Sequence, residues 1–259
     1  MYHKVVIQLY NHTYSTVLKR NPSLTEQAKT YIKQRIVNDE FADDRIPSET
    51  DLANQLGVSR TTIRDALSRL ELEGVIYRKQ GAGTFINRAG LQIKTRLEEI
   101  WTYEDMLQAH GYTPTTRIIS VEAQPADVAR AATLNLSGGD NLLVIQKLFL
   151  ADDRPVILTV NHVPTAIIES PYTPDDFHPP IYHFLTTFCR QHLSYYVSEI
   201  VPLIAPAWVA DTLSLSKRKT ALLTFDEVGY NQNNQPIITA SSYFRDDVLR
   251  LRLIRREAQ

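Results

Sequence analysis

Residues 59–73, SRTTIRDALSRLELE, carry the pattern from which the organisation of the chain is read. Ile63, Ala66, Leu67 and Leu70 recur at the three-and-four spacing of an amphipathic helix, while Arg60, Thr61, Arg64 and Ser68 fall outside that stripe. One face is suited to packing and the other to polar contact. Ser59 is a good N-cap, and with Arg60, Thr61 and Thr62 it gathers donors at the positive end of the helix, an end that suits phosphates and base edges. Asp65 and Arg69 stand four apart in the favoured order, so they are expected to pair along the helix.

A lone helix with external arginines is usually just solvated, but the neighbouring sequence changes that reading. Upstream, Ser48 and Asp51 make an S-x-x-[DE] cap, Leu52, Ala53 and Leu56 form an apolar stripe, and Gly57 sits where a helix would stop. Helix, glycine turn and second helix make a helix-turn-helix, whose second helix enters the major groove with its N-terminal residues at base edges. Downstream, VIYRKQGAGTFI (75–86) reads as a hairpin with its tip at Gly81-Ala82-Gly83, a wing. No Lys-Ser/Thr pair follows that tip, so a phosphate loop is disfavoured. Residues 23–41, with an S-x-x-E capping box and apolar Leu24, Ala28, Tyr31, Ile32 and Ile36, predict the first of three helices.

At 259 residues and 43% hydrophobic composition, two domains are expected. Residues 1–90 carry 13 Lys+Arg against 10 Asp+Glu, net +3, whereas residues 91–259 carry 15 against 19, net −4. The basic half is the half with the helix-turn-helix. The single Cys189 excludes a disulfide framework within the chain and suits a reducing cytosol. No apolar run approaches the ~20 residues that span a bilayer, so a cytoplasmic protein with no membrane partner is expected. Residues 1–22 are an unassigned extension in which VVIQLY could form a short strand, 23–86 the winged helix-turn-helix, 87–92 a short polar linker, and 93–259 a second domain. In that second domain a helix is predicted at 103–109. Strands are predicted at 117–122, 142–150, 156–163, 195–204, 221–230, 237–245 and 249–254, and helical patches at 127–134, 181–191 and 207–213. Turns are expected at ADDRP (151–155) and NQNNQ (231–235). The fold class is α+β, with mainly antiparallel strands.

Residues 46–85, IPSETDLANQLGVSRTTIRDALSRLELEGVIYRKQGAGTF, closely resemble the DNA-binding signature of the GntR transcription regulators. YEDMLQAHGYTP, LADDRPVILTVNHVP and NQPIITASSYFRDD resemble, more loosely, the UTRA effector-binding domain of the HutC subfamily, whose fold is similar to chorismate lyase. The resemblance implies a transcription regulator of repressor type that binds a double-stranded, palindromic operator as a homodimer and answers to a small-molecule effector. By that resemblance Ser48, Ser59, Arg60, Thr61, Thr62 and Arg64 would contact DNA, together with Gln80 and Gly81 at the wing tip. Arginines suit bidentate contacts, threonines suit phosphates, and a glycine tip can approach the minor groove. Thr50 stands where family members often carry an arginine.

The same resemblance implies effector contacts at Lys147, Phe149, Thr159, Tyr182, Tyr243 and Arg245. Lys147 and Phe149 replace the R-x-R pair of phosphosugar-binding members, and Thr159, Pro180 and Ile238 replace an acid, a serine and a glutamate. A less anionic and more apolar effector than a sugar phosphate is therefore expected, its single acidic group meeting Lys147 or Arg245 under aromatic cover. Glu199, on a predicted strand, faces either a pocket or solvent. The seven histidines show no H-E-x-x-H pattern, and no catalytic triad is visible, so no metal, cofactor or enzymatic activity is expected. The rival readings are an enzyme built on a chorismate-lyase-like domain and a winged helix used for protein contacts.

Overall fold

The structure is a computed structural model that describes residues 22–93, 97, 99–215, 220–249, 251 and 254. Residues 1–21, with the VVIQLY run, lie outside the described residues. The chain divides into two compact units, residues 1–92 and 93–259.

In the first unit, α1 (Leu24–Val37) starts at Ser23, whose Oγ accepts the Glu26 N–H, and buries Ala28, Ile32 and Ile36 while Leu24 and Tyr31 stay exposed. Strand β1 (Arg45–Ile46) follows, too short for any sequence period to reveal. Helix α2 (Glu49–Leu56) runs from its Ser48 cap to Gly57, whose φ of 64° is a backbone state that glycine adopts without strain. Helix α3 (Arg60–Leu72) starts on Ser59 and buries the predicted stripe of Ile63, Ala66, Leu67 and Leu70. Strands β2 (Ile76–Lys79) and β3 (Gly83–Ile86) form the wing, and β1 pairs with the free edge of β3.

One ion pair differs from expectation. Arg69 bonds to Glu26 on α1 rather than pairing with Asp65, because the acidic start of α1 lies against α3. Further along the same contact, Lys29 and Lys33 converge on Glu73 at 3.0 and 2.7 Å. Burial works against the charge on Glu73, yet its bonds to Lys33 and Lys29 outweigh this and hold the carboxyl below its ordinary range.

The expected linker also differs. Within residues 87–92 the chain forms α4 (Arg88–Leu91), a single turn too short to show periodicity. The Asn87 N–H donates to the Val75 carbonyl at 2.8 Å, Leu91 packs on the core of the unit, and Gly90 is buried.

The second unit opens with α5 (Tyr103–Ala109), capped by Thr102. It continues with β4 (Pro114–Pro125), α6 (Val128–Thr133), β5 (Asn141–Ala151), β6 (Arg154–Pro164), α7 (Ile181–Phe188), β7 (Leu193–Ile204), α8 (Ala207–Thr212), β8 (Ala221–Asn231) and β9 (Pro236–Phe244). The strands form one antiparallel sheet in the order β4-β5-β6-β9-β8-β7. Asp152 and Asp153 both take positive φ, 48° and 65°, which makes the tight turn that fixes the β5/β6 register. At the other hairpin the Asn231 side chain accepts the N–H groups of Asn233 and Gln235. Of the expected strand at 249–254, residues 250, 252 and 253 lie outside the described residues, and Leu249, Leu251 and Ile254 are not in a strand; Leu249 is buried in the core.

Side-chain alternation sorts the cores. Leu143, Ile145 and Phe149 of β5 face α5 and α7, whereas Leu142, Val144, Leu148 and Leu150 face the layer of α6 and α8. Strand β5 is buried on both faces, which explains its near-continuous apolar run.

A Cβ on Gly90 would lie 1.9 Å from the Gly74 carbonyl oxygen, and backbone cannot swing aside as a side chain can. Gly90→Ala is therefore expected to destabilise the first unit by about 2 kcal/mol or more. Urea unfolding followed by helical circular dichroism checks this, with an unchanged midpoint counting against the packing.

Candidate functional site

The first candidate surface is the exposed start of α3 with the wing beside it. The Ser59 Oγ accepts the Thr62 N–H at 3.1 Å and meets the Thr62 hydroxyl at 2.8 Å, so the first turn is fixed by its own hydroxyls. Arg60, Thr61 and Arg64 are exposed around it. Arg64 is braced by Glu49, Nε to Oε2 at 3.2 Å, so the start of α2 positions a side chain of α3. Ser48 is occupied as a cap, accepting the Asp51 N–H at 3.2 Å and donating to its carboxylate at 2.6 Å. Gln80 and Gly81 are exposed at the wing tip, where Gly81 has φ of 73°.

Two arginines outside the sequence-level set join these elements. Arg78 on β2 reaches the Arg64 carbonyl and the Ser68 hydroxyl of α3 at 3.4 and 3.2 Å, bringing the wing base to the polar face of that helix. Arg45 on β1 donates to the Ala82 carbonyl in the wing tip at 3.1 Å. Both guanidinium groups belong to exposed residues. The signal for Arg78 was its place in the hairpin next to Lys79; for Arg45 it was hidden in an apparent loop. The result is a surface of exposed cations, hydroxyls and one glycine tip, the chemistry that a phosphate backbone and base edges require.

The second candidate site is a cavity of about 600 Å³ over the α5/α7 face of the sheet. Its floor follows from the register. One row across the strands runs Lys147, Thr159, Ser242, Phe225; the next runs Ile145, Asn161, Ala240, Glu227, Ser198. Thr159, Asn161 and Ser242 are buried polar residues between the two charged ends. Residues 99–104 close one side: the Tyr182 hydroxyl donates to the Trp101 carbonyl at 2.5 Å, and Tyr103 donates to Ser242 at 2.7 Å. Burial raises the pKa of both phenols far above the ordinary tyrosine value, with the charge on Glu227 pushing the same way, so they remain neutral donors.

Lys147 is 2% exposed, and its ammonium donates to the carbonyls of His178 and Pro179 at 3.3 and 2.8 Å. It also lies 5.5 Å from the Phe149 ring centre. Burial drives its pKa down to about 8, opposed by the charge on Glu104. Helix α7 opens at Pro180 and Ile181, also in the cavity wall, with no side-chain cap on its first turn.

Lys147, Phe149, Thr159 and Tyr182 thus come together as expected, and Glu199, Tyr243 and Arg245 do not. Tyr243 alternates to the opposite face, where it packs against Trp208 and the α8 core. Arg245 follows the same parity and is spent on structure, bonding the Leu213 and Pro155 carbonyls and chelating Asp247. Glu199 is exposed and pairs in register with Asp226, off the cavity floor. The residues missed were Tyr103, Asn161, Ser242 and above all Glu227. Counting by two from Phe225 along β8 would have put Glu227 on the cavity face. Among the described residues no cluster of His, Cys, Asp and Glu has the arrangement to hold a metal. Cys189 is fully buried, its thiol pushed up to about 12 by desolvation, an unreactive packing residue.

Residues 24–86 match the family of bacterial regulatory proteins called gntR, and residues 109–250 match the UTRA domain. The chain is 29% identical over 225 residues to the HTH-type transcriptional repressor NagR of Bacillus subtilis (strain 168), covering 86% of this chain and 89% of that one. It is 28% identical over 204 residues to the histidine utilization repressor of Pseudomonas putida, covering 78% and 77%. The crystal structure of YydK from Bacillus subtilis, a possible transcriptional regulator, superposes with a TM-score of 0.70 at 16% identity, over 90% of this chain and 99% of that one. With the UTRA match alone spanning more than half of the chain and the gntR match covering the winged helix-turn-helix, this protein belongs to the GntR family of HutC type: a DNA-binding transcription regulator with an effector domain, and not an enzyme.

Proposed function

We propose that the protein is a repressor that binds a palindromic operator as a homodimer and is switched by a small organic acid held at Lys147. The repressor sense is supported by NagR and the histidine utilization repressor, both named as repressors. Two-fold protein symmetry matches a two-fold operator, because one winged helix covers only a short half-site. Arg60, Thr61, Thr62 and Arg64 would meet the major groove, with Gln80 and Gly81 at the adjoining minor groove and Arg45 and Arg78 on phosphates. Ser48 and Ser59 act as caps, leaving mainly their backbone and remaining lone pairs for DNA.

The observation that carries the effector reading is the charge balance of the cavity. Lys147 is the single cation in the described lining, where Glu104 and Glu227 also stand. A doubly charged phosphate would meet one ammonium and two acids, whereas one carboxylate is matched by Lys147 and the uncapped start of α7. Aromatic rings of Trp101, Tyr103, Tyr182 and Phe149 cover the remainder. Residues 99–104 follow the winged-helix unit in sequence, and an effector seated beneath them biases how that segment is held. A coupling of ~1–3 kcal/mol suffices to change the spacing of recognition helices and weaken operator binding.

Arg60→Ala is expected to lower operator affinity by about tenfold and reduce the salt slope by roughly one, while effector binding is unchanged. Fluorescence anisotropy on a palindrome from the neighbouring DNA measures the first and calorimetry the second; equal loss of both would count against separable domains. The sign of the pH effect follows from the lowered pKa of Lys147: the empty cavity holds its full positive charge only below about 8. A bound carboxylate restores the pKa upward, so affinity falls as pH rises above 8 and binding there takes up a proton. Calorimetry at pH 9 in two buffers of different ionisation heat reads that uptake. Lys147→Met is expected to abolish effector response without loss of fold, since an unpaired buried charge is replaced by an apolar side chain of similar length. Glucosamine-6-phosphate should bind weakly, and tight binding in a titration would refute the single-acid reading.

A further inference from the structure

We propose that Arg88 is a positioning residue for operator binding: held by Asp39 and Asp44, it clasps the turn of residues 87–91 onto the winged-helix unit and so fixes the half-site separation that the dimer accepts. The inference rests on the two-fold operator reading given above and adds the element that sets its geometry. Arg88 Nη2 donates to Asp39 Oδ1 at 2.5 Å, and Nε donates to Asp44 Oδ1 at 2.9 Å, with Nη2 reaching that same oxygen. Both acids belong to the loop between α1 and β1, where Asp39, Asp43 and Asp44 take positive φ of 58°, 54° and 56°. Aspartate tolerates that state better than most residues. Phe41, in the middle of the loop, is buried in the core of the unit, so the two carboxylates stand on an anchored support. The bonds from Arg88 hold the Asp44 carboxyl below its ordinary range.

The clasped turn is docked on its other side against the end of the recognition helix. Helix α3 stops at Leu72, and Gly74 and Val75 follow it directly. The Val75 carbonyl accepts the Asn87 N–H at 2.8 Å, the backbone of Gly90 lies on the Gly74 carbonyl, and Leu91 packs on the core. A helix of a single turn has no stability of its own, so α4 exists because these contacts hold it. An exposed ion pair is individually weak, but two carboxylates on one guanidinium restrain the start of the turn while Gly90 and Leu91 restrain its end. Residues 87–91 are thereby part of the body that reads DNA. Released, residues 88–92 would add up to about 17 Å of reach in each protomer. Inserting two base pairs between half-sites moves one of them by about 7 Å along the duplex and turns it by about 70°. A clasped dimer meets that change as a misfit, and a released one absorbs it.

The test uses the full chain and the palindromic duplex that it selects from a randomised pool. The spacer between half-sites is kept, lengthened or shortened by two base pairs, and a further duplex carries one half-site alone. Fluorescence anisotropy is expected to show the wild-type chain losing about 30-fold in affinity at either altered spacing, and Arg88→Ala losing no more than about threefold. Half-site affinity and salt slope should be the same in both proteins, whereas a lost phosphate contact would lower the two together. Asp39→Asn combined with Asp44→Asn should reproduce Arg88→Ala from the other side of the clasp, since asparagine also accepts the left-handed backbone. Arg88→Lys should restore part of the spacing preference. The Leu91 N–H donates to the Asn87 carbonyl at 3.1 Å, and its hydrogen exchange should quicken about fivefold in Arg88→Ala. Thermal unfolding of each variant verifies that the fold is retained. A spacing preference that survives Arg88→Ala, or that is lost only together with half-site affinity, overturns the clasp and leaves the two-fold operator standing. A wild-type chain that binds one half-site as tightly as the palindrome and ignores spacing overturns the two-fold reading, and the clasp with it.

Discussion

Strands β5 and β6 are buried on both faces, and the two-residue period this imposes governs the whole C-terminal unit. A slip of one residue would move Lys147 into the apolar layer beneath α8 and bring Leu148 into the cavity. The register is fixed by the paired left-handed aspartates of the β5/β6 turn and by the pairing of β6 with β9. Everything that distinguishes the cavity floor, from the buried lysine to the isolated glutamate, is a consequence of which side of this pleat a residue occupies. The same rule explains why Tyr243 and Arg245, adjacent in sequence to the floor residue Ser242, serve the opposite core.

The N-terminal unit is governed by local signals instead. Its caps at Ser23, Ser48 and Ser59, the left-handed Gly57 and the apolar stripe of α3 are all contiguous in sequence, and each determines its structure within one or two turns. These features were legible for that reason. What was not legible depends on elements meeting from afar: Glu26 of α1 claiming Arg69, Glu73 drawing two lysines, β1 completing the wing, and Gly90 closing on Gly74. The cavity follows the same division. Strand positions were read to within a few residues, but face assignment across six strands demands a register that no local pattern supplies, and Glu227 went unnoticed while Tyr243 and Arg245 were placed on the wrong side.

Within the exposed surface of the N-terminal unit, Arg64 and Arg78 are already engaged. Arg64 is held by Glu49 and Arg78 by Glu71, at 3.2 and 3.5 Å. Such exposed pairs contribute ~0–1 kcal/mol each, too little to withhold the side chains from a phosphate but enough to restrict their rotamers. The acids therefore orient the guanidinium groups more than they neutralise them, which lowers the entropy lost when a duplex is bound. Among the described residues no acid braces Arg60, which stands at the dipole-positive end of α3, where an anion gains from helix and side chain together.

The cavity inverts that arrangement, since Lys147 is buried there without an ion-pair partner among the described residues. Its ammonium is met by the carbonyls of His178 and Pro179 and by the ring of Phe149, with the charge of Glu104 acting from farther off. Leaving an ammonium in this condition costs the empty domain stability, and any arrangement that admits water to it relieves that cost. A ligand that supplies a matching anion stabilises the buried arrangement more than a hydrated one. That difference in affinity between conformations is the quantity a regulator requires, because a ligand shifts an equilibrium only by as much as it discriminates between the two states. In the proposed switch the buried ammonium is the discriminating group, and an apolar floor of equal stability would bind ligands with less difference between conformations.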